Sequence, residues 1–165
     1  MERLWAPWRL AYVTTAGESP GCIFCQACAH DAPQPLVLFR GATCYVILNL
    51  FPYSNGHLMV VPVRHVGSLA EATREELDEL MALTRLAEMA LTEAYRPQGL
   101  NMGINLGKAA GAGVLDHLHV HVVPRWSGDT NFMTVVGDVR VLPEQLEASA
   151  GRLRPIFERL AASGA

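Results

Sequence analysis

Apolar and polar positions along the chain follow two periods. Residues 36–39 are a short apolar tract that predicts a strand, Gly41 predicts a turn, and Cys44–Leu48 continues as a second strand. Residues 49–56 read as a loop, and 57–63, rich in Val, Leu and Met, as a third strand. The period then changes. Ser68 with Glu71 three positions later predicts a capping box, and Leu77, Leu80, Met81, Thr84, Ala87 and Leu91 follow at helical spacing. Glu71, Glu75, Glu76 and Asp78 crowd the start of this helix, where its dipole favours acids, and Pro97 and Gly99 end it. Residues 100–106 predict a fourth strand, 107–113 a loop with three glycines, and 117–123 a fifth strand closed by Pro124. A second helix is expected from near Pro143 to Leu160, with Gly151 and Pro155 as points of interruption. Gly17, Pro20, Gly21, Pro33 and Pro35 make the first 35 residues irregular. Strands joined mostly by turns, with helices set apart, predict an α+β fold with an antiparallel sheet of about five strands, one long helix and a C-terminal helix.

Composition narrows the function. Half of the 165 residues are hydrophobic and 18% are charged, which excludes a disordered chain. The net charge of −3 argues against gripping nucleic acid as the main task. No run of about 18 apolar residues predicts a membrane-spanning helix. The N-terminus, with Trp5, Pro7, Trp8 and two arginines, lacks the apolar run of a signal peptide, so a cytoplasmic protein with reduced thiols is expected. There, four cysteines suggest metal binding, redox work or burial before disulfides. Cys22-Ile23-Phe24-Cys25 is half of a zinc site, a redox pair without the expected strand-to-helix context, or two buried thiols. Cys28 forms a second such pair with Cys25, His30 lies nearby, and Cys44 reads as a small buried residue.

The richest tract is His117-Leu118-His119-Val120-His121-Val122-Val123. In a strand the three histidines share one face, while Leu118, Val120 and Val122 share the other and can pack on a helix. A row of imidazoles suits metal ligation, or attack on phosphorus with proton handling near neutral pH. A nucleophilic imidazole needs its second ring nitrogen held by an acceptor, so that the attacking nitrogen keeps its lone pair. The loop at 107–113, with Lys108, Gly111 and Gly113, has the character of a phosphate cradle, since glycines admit close approach and successive N–H groups can bind an anion.

His-x-His-x-His followed by two apolar residues resembles the signature of the histidine triad (HIT) family. The resemblance extends to Gly56-His57 with the apolar run to Val61-Pro62, and to Asn105-x-Gly107 ahead of the glycine loop. Behind the triad, Arg125-Trp126-x-Gly128-Asp129-x-Asn131-Phe132, together with the N-terminal Leu4-Trp5-Ala6-Pro7-Trp8-Arg9, is similar to the bacterial diadenosine tetraphosphate (Ap4A) phosphorylase and hydrolase subgroup. The match covers most of residues 1–132. It implies a HIT-like fold and nucleotidyl transfer, in which the middle histidine attacks the α-phosphorus and water or phosphate collects the nucleotidyl group. His119 is then the nucleophile, and His121 and His57 line the phosphate pocket, where one helps to protonate the leaving oxygen. Asn49, eight residues before His57, holds the ribose hydroxyls or is a turn residue. Asn105 contacts phosphate or is a structural amide. Trp126 stacks on a base or packs against the N-terminal arm, and Trp5 and Trp8 are packing anchors or subunit contacts.

For metal, the resemblance adds His65 and His117 to Cys22 and Cys25, a tetrahedral Cys2His2 set for one structural zinc. It also implies a homodimer acting on a nucleotide or dinucleoside polyphosphate. Relatives often carry Ser or Thr near the end of the glycine loop, whereas this chain has Ala112-Gly113, which leaves the acceptor open. The alternatives are a nucleoside phosphoramidate or monophosphate-ester hydrolase and a nucleotide-binding module of low turnover. The expected organisation is an N-terminal arm at 1–35, a catalytic domain at 36–140 and a C-terminal helical extension at 141–165.

Overall fold

The computed structural model describes residues 21–29, 34–129 and 144–164. Trp5, Trp8, His30, Asn131, Phe132 and the helix start expected near Pro143 lie outside the described residues. Among the described residues three helices, α1 (Ile23–Cys28), α2 (Arg74–Tyr95) and α3 (Leu146–Ala162), accompany five strands. The strands are β1 (Val37–Arg40), β2 (Cys44–Leu48), β3 (Leu58–Pro62), β4 (Gly99–Gly103) and β5 (Val120–Arg125). They form one sheet in the order β1-β2-β3-β5-β4, with every neighbouring pair antiparallel. The α+β reading therefore holds.

Alternation along the strands builds two cores. Cys44, Val46 and Leu48 of β2, Leu58 and Val60 of β3, and Val120 and Val122 of β5 face the helices. They meet Leu80, Leu83, Ala87, Ala90 and Leu91 of α2 and Ala150, Leu153, Phe157 and Leu160 of α3. The intervening residues Tyr45, Ile47, Met59 and Val61 form a second, smaller core with Val37 and Phe24 of α1. Burial of each large side chain contributes about 1.5–3 kcal/mol. With both faces covered, β2 and β3 are buried along their whole length.

Local chemistry fixes the joints around the site. Glu79 of α2 accepts hydrogen bonds from the backbone N–H groups of Ala42, Thr43 and Cys44 and from the Thr43 hydroxyl, clamping the β1–β2 turn. Burial raises the pKa of this carboxyl, but the hydrogen bonds outweigh it and hold it below its ordinary value. A Cβ at Gly41 would stand 2.5 Å from Glu79 Oε1, so the turn needs glycine there. At the other end of the sheet, Gly56 has φ +75°, and a Cβ on it would meet the Tyr95 ring at 2.8 Å. That close approach sets the chain direction into His57.

Several boundaries differ from expectation. The long helix begins at Arg74, and its capping box is Thr73 with Glu76 rather than Ser68 with Glu71. Arg64 decides between the two: its guanidinium grips both Glu76 oxygens, at 2.8 and 2.7 Å, and also donates to the Glu71 carbonyl. Glu71 instead accepts from the Gly67 N–H through its side chain. Met81 is 64% exposed, and the buried stripe runs through Leu80, Leu83, Thr84, Ala87, Ala90 and Leu91. Helix α3 runs unbroken through Gly151 and Pro155, because Leu153, Phe157 and Leu160 on its buried face hold it against the core. β5 continues through Pro124 to Arg125. Pro124 lies past the end of β3, whose Leu58 pairs with Val122, so the sheet asks no N–H of it there. The triad tract enters β5 only at Val120, and His117 and His119 sit in the chain leading into it. The N-terminal segment, expected to be irregular, contains the six-residue helix α1. No helix among the described residues is long and apolar enough to cross a membrane.

Candidate active site

The three histidines lie in sequence along the sheet face that carries the smaller core. The His119 and His121 ring centroids are 4.7 Å apart. His57, at the start of β3, is fully buried, and its ring is 5.2 Å from that of His121. β5 pairs with β3 through Met59 and His121, which brings His57 beside the triad.

Hydrogen bonds assign the ring tautomers. The Tyr53 N–H donates to His57 Nδ1 at 3.1 Å, so the His57 proton sits on Nε2. That Nε2–H faces His121 Nδ1 at 3.0 Å, which places the His121 proton on its own Nε2. His119 is held the other way: its Nδ1–H donates to the His117 carbonyl at 2.8 Å, leaving Nε2 with a bare lone pair. The Asn49 amide nitrogen lies 3.4 Å from the His57 ring, and the Asn49 carbonyl oxygen accepts from the Phe51 N–H at 2.9 Å. That bond closes an Asx-turn at Asn49.

Burial favours the neutral form of His119 and His121. It lowers the pKa of His119, opposed by the bond to the His117 carbonyl. It lowers that of His121 to about 4, with the neighbouring His119 adding to the shift. An unfolded histidine titrates near 6.5, so the unfolded chain binds more protons between that value and about 4. Stability from this site is therefore fully present above pH 6.5 and is lost as pH falls toward 4. His121 alone accounts for about 2 kcal/mol of loss between pH 7.5 and pH 5. Urea unfolding at the two pH values measures it. His121→Asn should flatten the dependence, and a native-like slope in that variant would contradict the assignment.

The loop at 107–113 follows β4, the strand beside β5. Gly103 pairs with His121, so Asn105 stands two residues further toward the triad's start; it is half-buried and makes no hydrogen bond to a described residue. Gly107 and Gly111 have φ of +81° and +86°. Between them the loop forms a 3-10 turn in which Ala110 and Ala112 donate to the Gly107 carbonyl and Gly111 donates to that of Lys108. Those three N–H groups are thus taken by the turn itself. Lys108 is exposed and Gly113 half-buried. Trp126 follows the far end of β5, about 16 Å of strand beyond His121.

Next to the triad, Cys22, Cys25, His65 and His117 place four ligand atoms within 4.8 Å of one another. His117 Nδ1 is 3.2 Å from Cys22 Sγ and 3.6 Å from Cys25 Sγ, and Cys25 Sγ is 3.3 Å from His65 Nδ1. The edges of a tetrahedron with zinc–sulfur and zinc–nitrogen bond lengths are about 3.3–3.8 Å, so the donor set fits that ion. The His117 Nε2–H donates to the Pro62 carbonyl at 2.9 Å, which turns Nδ1 toward the cysteines. Burial raises the pKa of the Cys25 thiol, and its hydrogen bond with Cys22 adds to this. Cys28 lies apart from the set, with its sulfur and carbonyl taking hydrogen bonds from Arg40.

A family model described as the HIT domain matches residues 33–128. The chain belongs to the HIT family. Among its relatives, AP-4-A phosphorylase of Mycobacterium tuberculosis is 44% identical over 154 residues, covering 88% of this chain and 79% of that protein. Bis(5'-adenosyl)-triphosphatase of Dictyostelium discoideum is 28% identical over 131 residues, covering 76% and 87%. A crystal structure of a zinc-bound histidine triad family protein from Mycobacterium smegmatis superimposes with a TM-score of 0.70 at 30% identity, covering 87% of this chain and 97% of that one.

Two contributors carried no sequence signal. The Tyr53 backbone N–H orders the His57–His121 pair, and the ring of Phe24 lies against the triad. A backbone donor has no residue signature, and Phe24 reads as the filler of a Cys-x-x-Cys pair.

Proposed function

We propose that this HIT protein cleaves dinucleoside polyphosphates of the Ap4A type by nucleotidyl transfer through His119. The observation that carries the reading is the opposed tautomers of two adjacent rings: a bare Nε2 on His119 beside an Nε2–H on His121. In the first step the His119 Nε2 lone pair forms a bond to the α-phosphorus. The bond from that phosphorus to the bridging oxygen breaks, and the electron pair leaves with the nucleoside polyphosphate. His121 Nε2–H donates a hydrogen bond to that oxygen as it takes up the negative charge, and the His57–His121 hydrogen bond holds the His121 ring in that tautomer. His119 carries the nucleotidyl group on Nε2, and the positive charge on its ring is shared with the His117 carbonyl through Nδ1–H. In the second step an oxygen of phosphate or water attacks the same phosphorus, the nitrogen–phosphorus bond breaks with its electron pair returning to His119 Nε2, and a proton of the attacking group passes to solvent.

The family resemblance supports assigning Asn49 to the ribose, Asn105, Lys108, Gly111 and Gly113 to the phosphates, and Trp126 to a base. Cys22, Cys25, His65 and His117 hold a structural zinc. The zinc-bound relative supports this, and four protein ligands leave no position open for substrate. The exposed face of edge strand β4 supports a homodimer, and four free thiols support a reducing, cytoplasmic setting.

Incubation with Ap4A, with and without inorganic phosphate, tests the reading. The likeness to a phosphorylase supports ATP plus ADP formed only when phosphate is present. AMP plus ATP without phosphate would make water the acceptor. No product in either arm would overturn the proposal in favour of a binding module.

A further inference from the structure

The Phe24 side chain is a wall of the site that the nucleotidyl-transfer chemistry does not itself require. α1 spans six residues, and Phe24 is its one buried residue. The ring centroid lies 5.0 Å from His119, tilted by 49°, and 5.4 Å from His117, edge-on at 73°. Phe24 is 2% exposed and packs with Tyr45, Ile47, Met59 and Val61 on the sheet. Its backbone is fixed as well, because the buried Tyr45 hydroxyl donates to the Phe24 carbonyl at 2.7 Å. The Cys22 and Cys25 sulfurs on either side of it reach His117 Nδ1. One short segment therefore bears both thiols of the metal cluster and the ring that leans on the proposed nucleophile.

A hydrogen bond through Nδ1 fixes one edge of an imidazole but leaves the ring free to swing about that contact. Swinging would move Nε2 away from the line of attack on phosphorus. Misplacement of a reacting atom by about 1 Å can cost on the order of a hundredfold in rate. A bulky neighbour against the ring removes that freedom.

We propose that Phe24 is a positioning residue for His119, holding the nucleophile's ring in its attacking orientation from a segment anchored by the metal cluster. This inference rests on His119 being the nucleophile. Binding of the nucleotide is left to other residues, so the effect of changing Phe24 falls on kcat and not on KM.

The test compares Phe24→Ala, Phe24→Leu and His119→Asn in the metal-loaded protein. Ap4A turnover, bound zinc and the imidazole nitrogen–proton NMR spectrum are read for each. Phe24→Ala is expected to keep its zinc, to lose tenfold or more in kcat with KM within twofold of the parent, and to replace the single His119 Nδ1–H tautomer with a mixture. Phe24→Leu, which restores most of the bulk without the ring, is expected to bring kcat back to two- to threefold below the parent and to restore the single tautomer. If Phe24→Ala is folded and zinc-loaded with kcat within twofold of the parent, the proposal is overturned. If Phe24→Ala does not fold, Phe24→Leu decides: a two- to threefold lower kcat at constant KM supports the proposal, and parental kcat overturns it. His119→Asn separates this from the parent reading. Activity retained there removes the nucleophile itself, whereas an inactive His119→Asn beside a fully active Phe24→Ala removes only the positioning role.

Discussion

His119→Asn is expected to turn over Ap4A at least about a thousandfold more slowly than the parent, with its unfolding midpoint close to the parental one. The size follows from what the substitution removes. An amide nitrogen has no lone pair available for attack, so the two-step route closes and only uncatalysed or poorly aligned attack by water remains. The fold should persist, because Asn is polar, smaller than His and able to donate to the His117 carbonyl as Nδ1–H does now. Mixing enzyme with α-labelled substrate and quenching at early times gives a second reading. The parent should carry acid-labile label on protein, and His119→Asn should carry none. Parental rates, or undiminished label, in the variant would remove His119 as the nucleophile. His121→Asn should be milder, since one hydrogen-bond donor to developing charge contributes about a hundred- to thousandfold. It should also recover most with substrates whose leaving oxygen develops the least negative charge.

How legible this was in the sequence depends on the range of the interactions. The sharing of one face by His117, His119 and His121 follows from strand alternation, and that periodicity holds in the tract leading into β5 even though its first residues are outside the ladder. Cys22, Cys25, His65 and His117 come together from three separated stretches, and only the resemblance to a family joined them before the fold was known. Tautomers were beyond reach. They are set by the Tyr53 N–H and by the carbonyls of His117 and Pro62, and every residue type supplies such groups. The helix start shows a different limit. Ser68 with Glu71 and Thr73 with Glu76 carry the same capping signature five residues apart, and a tertiary contact from Arg64 selects the second. Helix α1 spans fewer than two turns, too few for a period to show, and it is held by the sheet and the cluster beneath it.

Removing the proposed zinc, by chelation or by Cys22→Ser with Cys25→Ser, is the other change with a large expected effect, and it falls on stability. A ligand present at about a thousandfold its dissociation constant stabilises the folded state by about 4 kcal/mol. For a domain of this size that corresponds to a fall in melting temperature of about 8–16 °C on its loss. The damage should be local first. The sheet and its packing on α2 and α3 do not use the cluster, whereas α1 is tied to the rest through Cys22, Cys25, the Phe24 ring and the Tyr45 hydroxyl. Limited proteolysis should therefore cut near residues 21–29 in the metal-free protein while the remainder stays resistant. Acid should act in the same direction as chelation: cysteine binds zinc as thiolate, and burial already favours the protonated Cys25 thiol, so protons compete with the metal as pH falls. Metal analysis of the parent should give about one zinc per chain. A Cys22→Ser, Cys25→Ser protein that keeps one zinc, or a metal-free protein as stable and protease-resistant as the loaded one, would show that these four residues do not form a structural site.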